Sequence, residues 1–143
     1  MISLSKEGLG LLKGCEGCSL TSYQDQGGVW TIGYGSTIGV LPNMKITAEA
    51  AESRLLADLK PIYKAIDTLV TYKPLSQNKA DALIIFIFNV GISAFSRSTL
   101  LKMLNAGNLK GAGEQFLRWN RIGSVVNAGL TNRRNLEKHL FEA

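Results

Sequence analysis

The segment ADALIIFIFNVG, residues 80–91, constrains the fold more than any other stretch. It reads as a helix capped by Ser76 and stopped at Gly91, and it is apolar on nearly every side. A helix without a polar face must be surrounded by other elements, so it predicts the buried centre of a helical lobe. At 143 residues the chain can supply those neighbours. A domain of this size buries roughly 70% of the surface its unfolded chain exposes, so no disulfide or metal staple is required. The apolar run Leu83–Phe88 is far short of the ~20 residues a membrane-spanning helix needs. The opening MISLSKEGLGLLKGCEG is too polar and too broken for a signal peptide.

Other segments supply those helices. Residues 5–16 read as a helix capped by Ser5, with Glu7 in the first turn and Leu9, Leu12 and Glu16 on one stripe; Gly17 stops it. Thr47 caps a helix carrying Ala48, Ala51, Leu55 and Leu59, which Pro61 kinks or restarts before it ends near Leu69. Shorter helices are expected near 98–106 and 109–119. A last one runs from about Thr131 to Phe141, with Leu136 and Leu140 on one stripe and Arg133 paired to Glu137. Residues 18–46 differ: glycine is dense and β-formers interleave. Gly27-Gly28 is a hairpin signal, and the stretch predicts a small antiparallel sheet of two or three strands. Trp30, Ile32 and Tyr34 should point one way, Val29, Thr31 and Gly33 the other. The order helix, small sheet, many helices is α+β, a small antiparallel β lobe plus a larger helical lobe. A cleft between two such lobes is the expected ligand site.

The side-chain inventory narrows the chemistry. One histidine, His139, and two cysteines, Cys15 and Cys18, are too few for a Cys/His zinc site. Next to Leu140-Phe141, His139 reads as a surface or packing residue, which leaves carboxylates, hydroxyls or lysine to do any chemistry. The C-x-x-C pair reads as two small apolar fillers rather than a redox couple. The net charge of +5 is unevenly placed, since the basic excess falls wholly in residues 97–143. There Arg97, Lys102, Lys110, Arg118, Arg121, Arg133, Arg134 and Lys138 face only Glu114, Glu137 and Glu142. Such a field suits nucleic acid, anionic lipid or an acidic cell-wall polymer; a solvated helical surface is the plain alternative.

Glu16 ends a helix, Asp25 lies in the hairpin that follows, and Thr31 is on its return strand. Two carboxylates in unequal environments are the minimum set for cleaving a glycosidic bond. The partly desolvated one keeps a proton, the wet one stays ionised, and a hydroxyl can hold the attacking water. As bare pattern, a Glu, an Asp and a Thr this close also occur by chance.

The stretch EGCSLTSYQDQGGVWTIGYGST resembles the signature of the phage-type lysozymes, the endolysin family, in which the three residues recur as E-x8-D-x5-T. The resemblance continues through Ala82-Leu83 with Phe86, Phe88, Asn89 and Gly91, through Leu104-Asn105-Ala106-Gly107, and through Phe116 and Trp119. It closes on Gly129–Arg134 with Glu137 and Phe141. Four separated blocks in the right order cover nearly the whole chain. The resemblance implies one lysozyme-like domain over residues 1–143, with a β-rich lobe at about 18–46, a helical lobe at about 47–143 and an N-terminal helix at 5–16.

It also implies a muramidase cutting the β-1,4 bond between N-acetylmuramic acid and N-acetylglucosamine in peptidoglycan, with inversion and without metal or organic cofactor. Glu16 would be the general acid, Asp25 would orient the water or stabilise positive charge, and Thr31 would help place the water. Arg133 lies where the family has an arginine that approaches the catalytic Glu, and Asn89 where an amide lines the cleft. Tyr34 is the aromatic expected to meet sugar; Trp30 and Trp119 read as core. The expected partner is the glycan strand, met by a monomer without nucleic acid or membrane span. Synthesis is expected in the host cytoplasm, with access to periplasmic peptidoglycan through a separate pore protein. The sequence departs from the family pattern at Cys15, where a bulky apolar residue is usual, and in IGSVVNA at 122–128, where a second glycine is common. A catalytically silent glycan-binding module and a basic nucleic-acid-binding domain are the rival classes. The intact Glu16, Asp25 and Thr31 argue against the first.

Overall fold

The computed structural model describes residues 2–143, as seven α-helices, a short 3-10 turn and two small antiparallel sheets among those residues. The first helix, α1, spans Lys6–Glu16. Ser5 caps it, its hydroxyl accepting from Gly8 N at 2.9 Å. Gly17, at φ +68°, closes it with its N–H on the Lys13 carbonyl at 3.0 Å. Strands β1 (Ser19–Gln24) and β2 (Trp30–Gly33) pair antiparallel, with Tyr23 opposite Thr31 and Gln24 opposite Trp30. A third strand is reduced to a single bridge between Thr21 and Lys45.

Helix α2 runs unbroken from Ala48 to Leu69 with Pro61 inside it, so the expected kink or restart is not a break. Pro61 is exposed, while Leu55, Leu59, Ile62 and Ile66 are buried along one stripe on both sides of it. Burying four aliphatic side chains at roughly 1.5–3 kcal/mol each outweighs the ~3 kcal/mol a proline costs in a helix interior.

Helix α3 (Gln77–Val90) is capped by Ser76 and buried from Ala80 through Ile87, as its composition requires. Next come α4 (Ile92–Ser96), α5 (Thr99–Asn105), α6 (Leu109–Gln115) and the 3-10 turn Phe116–Arg118. A two-residue hairpin, β3 (Arg121–Ile122) with β4 (Val125–Val126), precedes α7 (Ala128–Glu142). Neither α4 nor this hairpin is among the elements read from the sequence. Helix α7 starts three residues before Thr131 because the Asn127 side chain accepts from Leu130 N at 2.8 Å.

The chain divides into two compact units. One holds residues up to Gly8 together with Ile62–Ala143; the other is Leu9–Pro61. The smaller unit buries Leu12, Ile32, Val40, Ala51, Leu55 and Leu59. In the larger unit α3 packs on α7, and Phe86 lies at the centre. Its ring meets Phe116 edge-on at 5.1 Å and Trp119 edge-on at 5.5 Å. Trp119 and Trp30 are only half-buried, so neither is the full core residue expected. Asp81, the one buried charge of α3, is 2% exposed and fully bonded. It accepts from Ser5 N at 2.9 Å, from the Ser5 hydroxyl, and from Gln77 Nε2 at 2.8 Å. No helix among the described residues is long and apolar enough to cross a membrane.

Candidate active site

Glu16, Asp25 and Thr31 all fall in the Leu9–Pro61 unit. Glu16 is the last residue of α1 and half-buried. The turn after β2 comes close to it: a Cβ placed on Gly35 would lie 4.0 Å from Glu16 Oε1. The β1–β2 turn holds Asp25. Its backbone N–H donates to Val29 O at 2.9 Å, and its carbonyl accepts from Gly28 N at 2.9 Å. Gly28 adopts φ +79°, a conformation that explains why glycine stands there. Asp25 Oδ1 accepts two backbone N–H groups, from Gly27 and Val29, each at 2.9 Å. Its Oδ2 has no protein partner among the described residues, and the residue is exposed.

Thr31 sits on β2, opposite Tyr23, and is 4% exposed. Its hydroxyl donates to Val29 O at 2.9 Å. The peptide groups of Val29 therefore fix both side chains: the N–H holds the carboxylate of Asp25, and the carbonyl takes the proton of Thr31. Ile32 is buried like Thr31, so the strict alternation expected along this strand is replaced by burial of both faces from Thr31 to Gly33.

Tyr34 is half-buried in the turn after β2, outside the strand to which the alternation pattern assigned it. Lys13 Nζ lies 5.8 Å from its ring centroid. Lys13 also pairs with Glu52, a contact that holds its ammonium above the ordinary lysine pKa. Neither Cys15 nor Cys18 is in a disulfide; Cys18 is exposed and so fills no interior space, contrary to the filler reading.

Asn89 and Arg133 fall in the larger unit. Asn89 is exposed near the end of α3, and its Oδ1 accepts from Arg134 Nη2. Arg133 donates from Nη2 to Ile85 O at 2.9 Å and from Nε to Glu137 Oε2 at 3.2 Å. The Arg133–Glu137 pair expected at i, i+4 forms, and it is interior: Glu137 is 0% exposed. Arg134, counted above in the basic excess of residues 97–143, is buried too. It donates to Trp119 O at 2.8 Å and to Glu137 Oε1 at 2.6 Å, and its guanidinium carbon lies 5.0 Å from the Phe86 ring centroid. Burial pushes the Glu137 carboxyl up from its ordinary pKa, against the pull of Arg134 and Arg133. The fully buried face of α7 is Arg134, Glu137 and Phe141, while Leu136 and Leu140 are half-buried.

The phage lysozyme family model matches residues 13–137, which takes in Glu16, Asp25, Thr31, Tyr34, Asn89 and Arg133. The chain belongs to the phage lysozyme family. An endolysin of Acyrthosiphon pisum secondary endosymbiont phage 1 is 40% identical over 146 aligned positions, covering 98% of each protein. The muramidase domain of SpmX from Asticaccaulis excentricus superposes with a TM-score of 0.94 at 37% identity, over 100% of this chain and 99% of that one. A mutant of P22 lysozyme superposes with a TM-score of 0.90 at 40% identity, over 100% of both chains. The α+β, lysozyme-like class expected from the sequence is the observed one.

Proposed function

We infer that this phage lysozyme family member hydrolyses bacterial peptidoglycan, cutting the β-1,4 bond between N-acetylmuramic acid and N-acetylglucosamine with inversion at the sugar carbon. One observation carries the mechanism: Val29 fixes Asp25 and Thr31 through its two peptide groups. Asp25 Oδ1 is committed to backbone donors, so Oδ2 is the oxygen that can accept a proton from water. The Thr31 hydroxyl is committed as a donor, so its lone pairs can accept the water's other proton. A water held by both has its own lone pair left to attack the sugar carbon.

In the reaction, Glu16 gives its proton to the leaving glycosidic oxygen as that bond breaks. The water oxygen bonds to the sugar carbon, and its proton passes to Asp25. Asn89, Arg133 and Tyr34 contact the glycan, and the chain acts as a monomer. The carboxyl of Asp25 is exposed and tied to backbone amides, which suits a base better than a nucleophile buried against the sugar.

Lysis of chloroform-treated Gram-negative cells, followed by turbidity, tests the activity. Glu16→Gln keeps the shape and removes the proton, and general acid catalysis is typically worth 10²–10⁴-fold. A variant keeping more than about a tenth of the activity refutes the role of Glu16 by that scale. NMR of a soluble glycan fragment immediately after cleavage tests the stereochemistry: the α-anomer first supports inversion, the β-anomer first refutes it. Access to the wall is proposed to follow cytoplasmic synthesis and passage through a separate pore protein. Expression in intact cells should then leave turbidity unchanged until the membrane is permeabilised; lysis without permeabilisation overturns this.

A further inference from the structure

The larger unit contains a continuous chain of bonds that the proposed reaction does not use. Asn89 Oδ1 accepts from Arg134; Arg134 donates to Glu137 Oε1; Glu137 Oε2 accepts from Arg133. The two ends, Asn89 and Arg133, are the residues read as substrate contacts. The two middle members are buried, at 1% and 0% exposure. An ion pair taken fully out of water is held in one geometry by the loss of every alternative partner. Arg134 is further fixed by Trp119 O and by the face of Phe86, and Arg133 by Ile85 O.

We propose that Arg134 and Glu137 are positioning residues, which lock Asn89 and Arg133 into one pre-set pair of glycan contacts. The lock also sets the chemistry that Asn89 offers. Arginine can only donate, so the oxygen of the Asn89 amide must face Arg134, and the NH₂ group is the part left for ligand. Asn89 is therefore a donor to sugar oxygens. Arg133 is likewise a donor only, and Glu137 bonds its Nε and so sets the plane of its guanidinium. The pair would recognise acceptor groups on the glycan, such as carbonyl, hydroxyl or carboxylate oxygens. The inference rests on the reading of Asn89 and Arg133 as substrate contacts.

The test is a double-mutant cycle on a soluble glycan fragment, with kcat and KM expressed per folded protein. Loss of a contact made equally in the ground and transition states raises KM and leaves kcat, so Glu137→Gln should raise KM about tenfold. In a background carrying both Arg133→Ala and Asn89→Asp the same change should alter KM less than about twofold, because both of its targets are gone. Glu137→Asp keeps the charge and moves the acceptor, and it gives the same readout should the glutamine variant not fold. Asn89→Asp keeps the bond to Arg134 and loses the NH₂ donor, so KM should rise without any change in the core.

A KM effect of Glu137→Gln or Glu137→Asp that persists undiminished in the Arg133→Ala, Asn89→Asp background overturns the proposal and leaves a structural role only. Parent KM in both Glu137 variants, or in Asn89→Asp, overturns it as well. Parent KM in Arg133→Ala instead removes Arg133 from the substrate contacts, and that failure belongs to the functional reading, taking this inference with it.

Discussion

Replacing Arg134 with methionine isolates what the buried network contributes to stability. Methionine keeps an unbranched apolar stem of similar length beside Phe86 and removes every donor. Three bonds go: to Trp119 O at 2.8 Å, to Glu137 Oε1 at 2.6 Å, and to Asn89. Asn89 is exposed, so water replaces that bond at small cost. Glu137, at 0% exposure, keeps only Arg133 at 3.2 Å. Removing one partner of a buried ion pair costs about 3–5 kcal/mol, because the other charge stays desolvated. Part of the lost contact with Phe86 returns through the thioether, at about 0.3–1.5 kcal/mol. The net expectation is a loss of roughly 2–5 kcal/mol, centred near 3, from these two terms. At about 2–4 °C per kcal/mol for a chain of this size, the thermal midpoint should fall by roughly 10 °C. Thermal unfolding by circular dichroism reads this directly. Replacing Glu137 by leucine in the same chain should recover part of the loss, since the orphaned carboxylate goes with it. A single-variant loss under about 1 kcal/mol would refute the view that this network anchors α7, because a buried pair cannot be broken so cheaply.

Three further outcomes are expected. Gly8→Ala would place its Cβ 2.7 Å from Asp81 Cγ and 2.9 Å from Leu4 Cδ1; overpacking of that kind costs about 1–3 kcal/mol in urea unfolding, and no loss would show that Asp81 can yield its bonds. Thr31→Val keeps the shape of a 4%-exposed side chain and removes the hydroxyl; lytic activity should fall by at least about tenfold with the fold intact, and a fully active valine variant would remove Thr31 from the water site. Neutralising Lys102, Lys110 and Arg121 together, all exposed, should lower wall binding and flatten its salt dependence; an unchanged salt profile would make these charges a merely solvated surface.

What the sequence determined by itself is what acts within a few residues along the chain. Ser5, Thr47 and Ser76 cap helices because a side-chain oxygen reaches an amide three positions on, and each does so here. Gly28 makes its turn through its own backbone freedom. Composition alone required α3 to be buried, and the spacing of Glu16, Asp25 and Thr31, with the resemblance it carries, pointed to the family. Tertiary structure decided the rest, because it chooses which distant groups share an interior. Asp81 finds Ser5 across 76 positions, and nothing local to either residue says so. Pro61 stays inside a helix because burial on both sides of it outweighs a local penalty. Nothing local to Arg134 or Glu137 says that they lie inside, since a charged side chain is almost never fully buried unless paired. Their burial depends on the meeting of α3, α7, Trp119 and Asn89, and a charge can leave water only where such partners are already assembled.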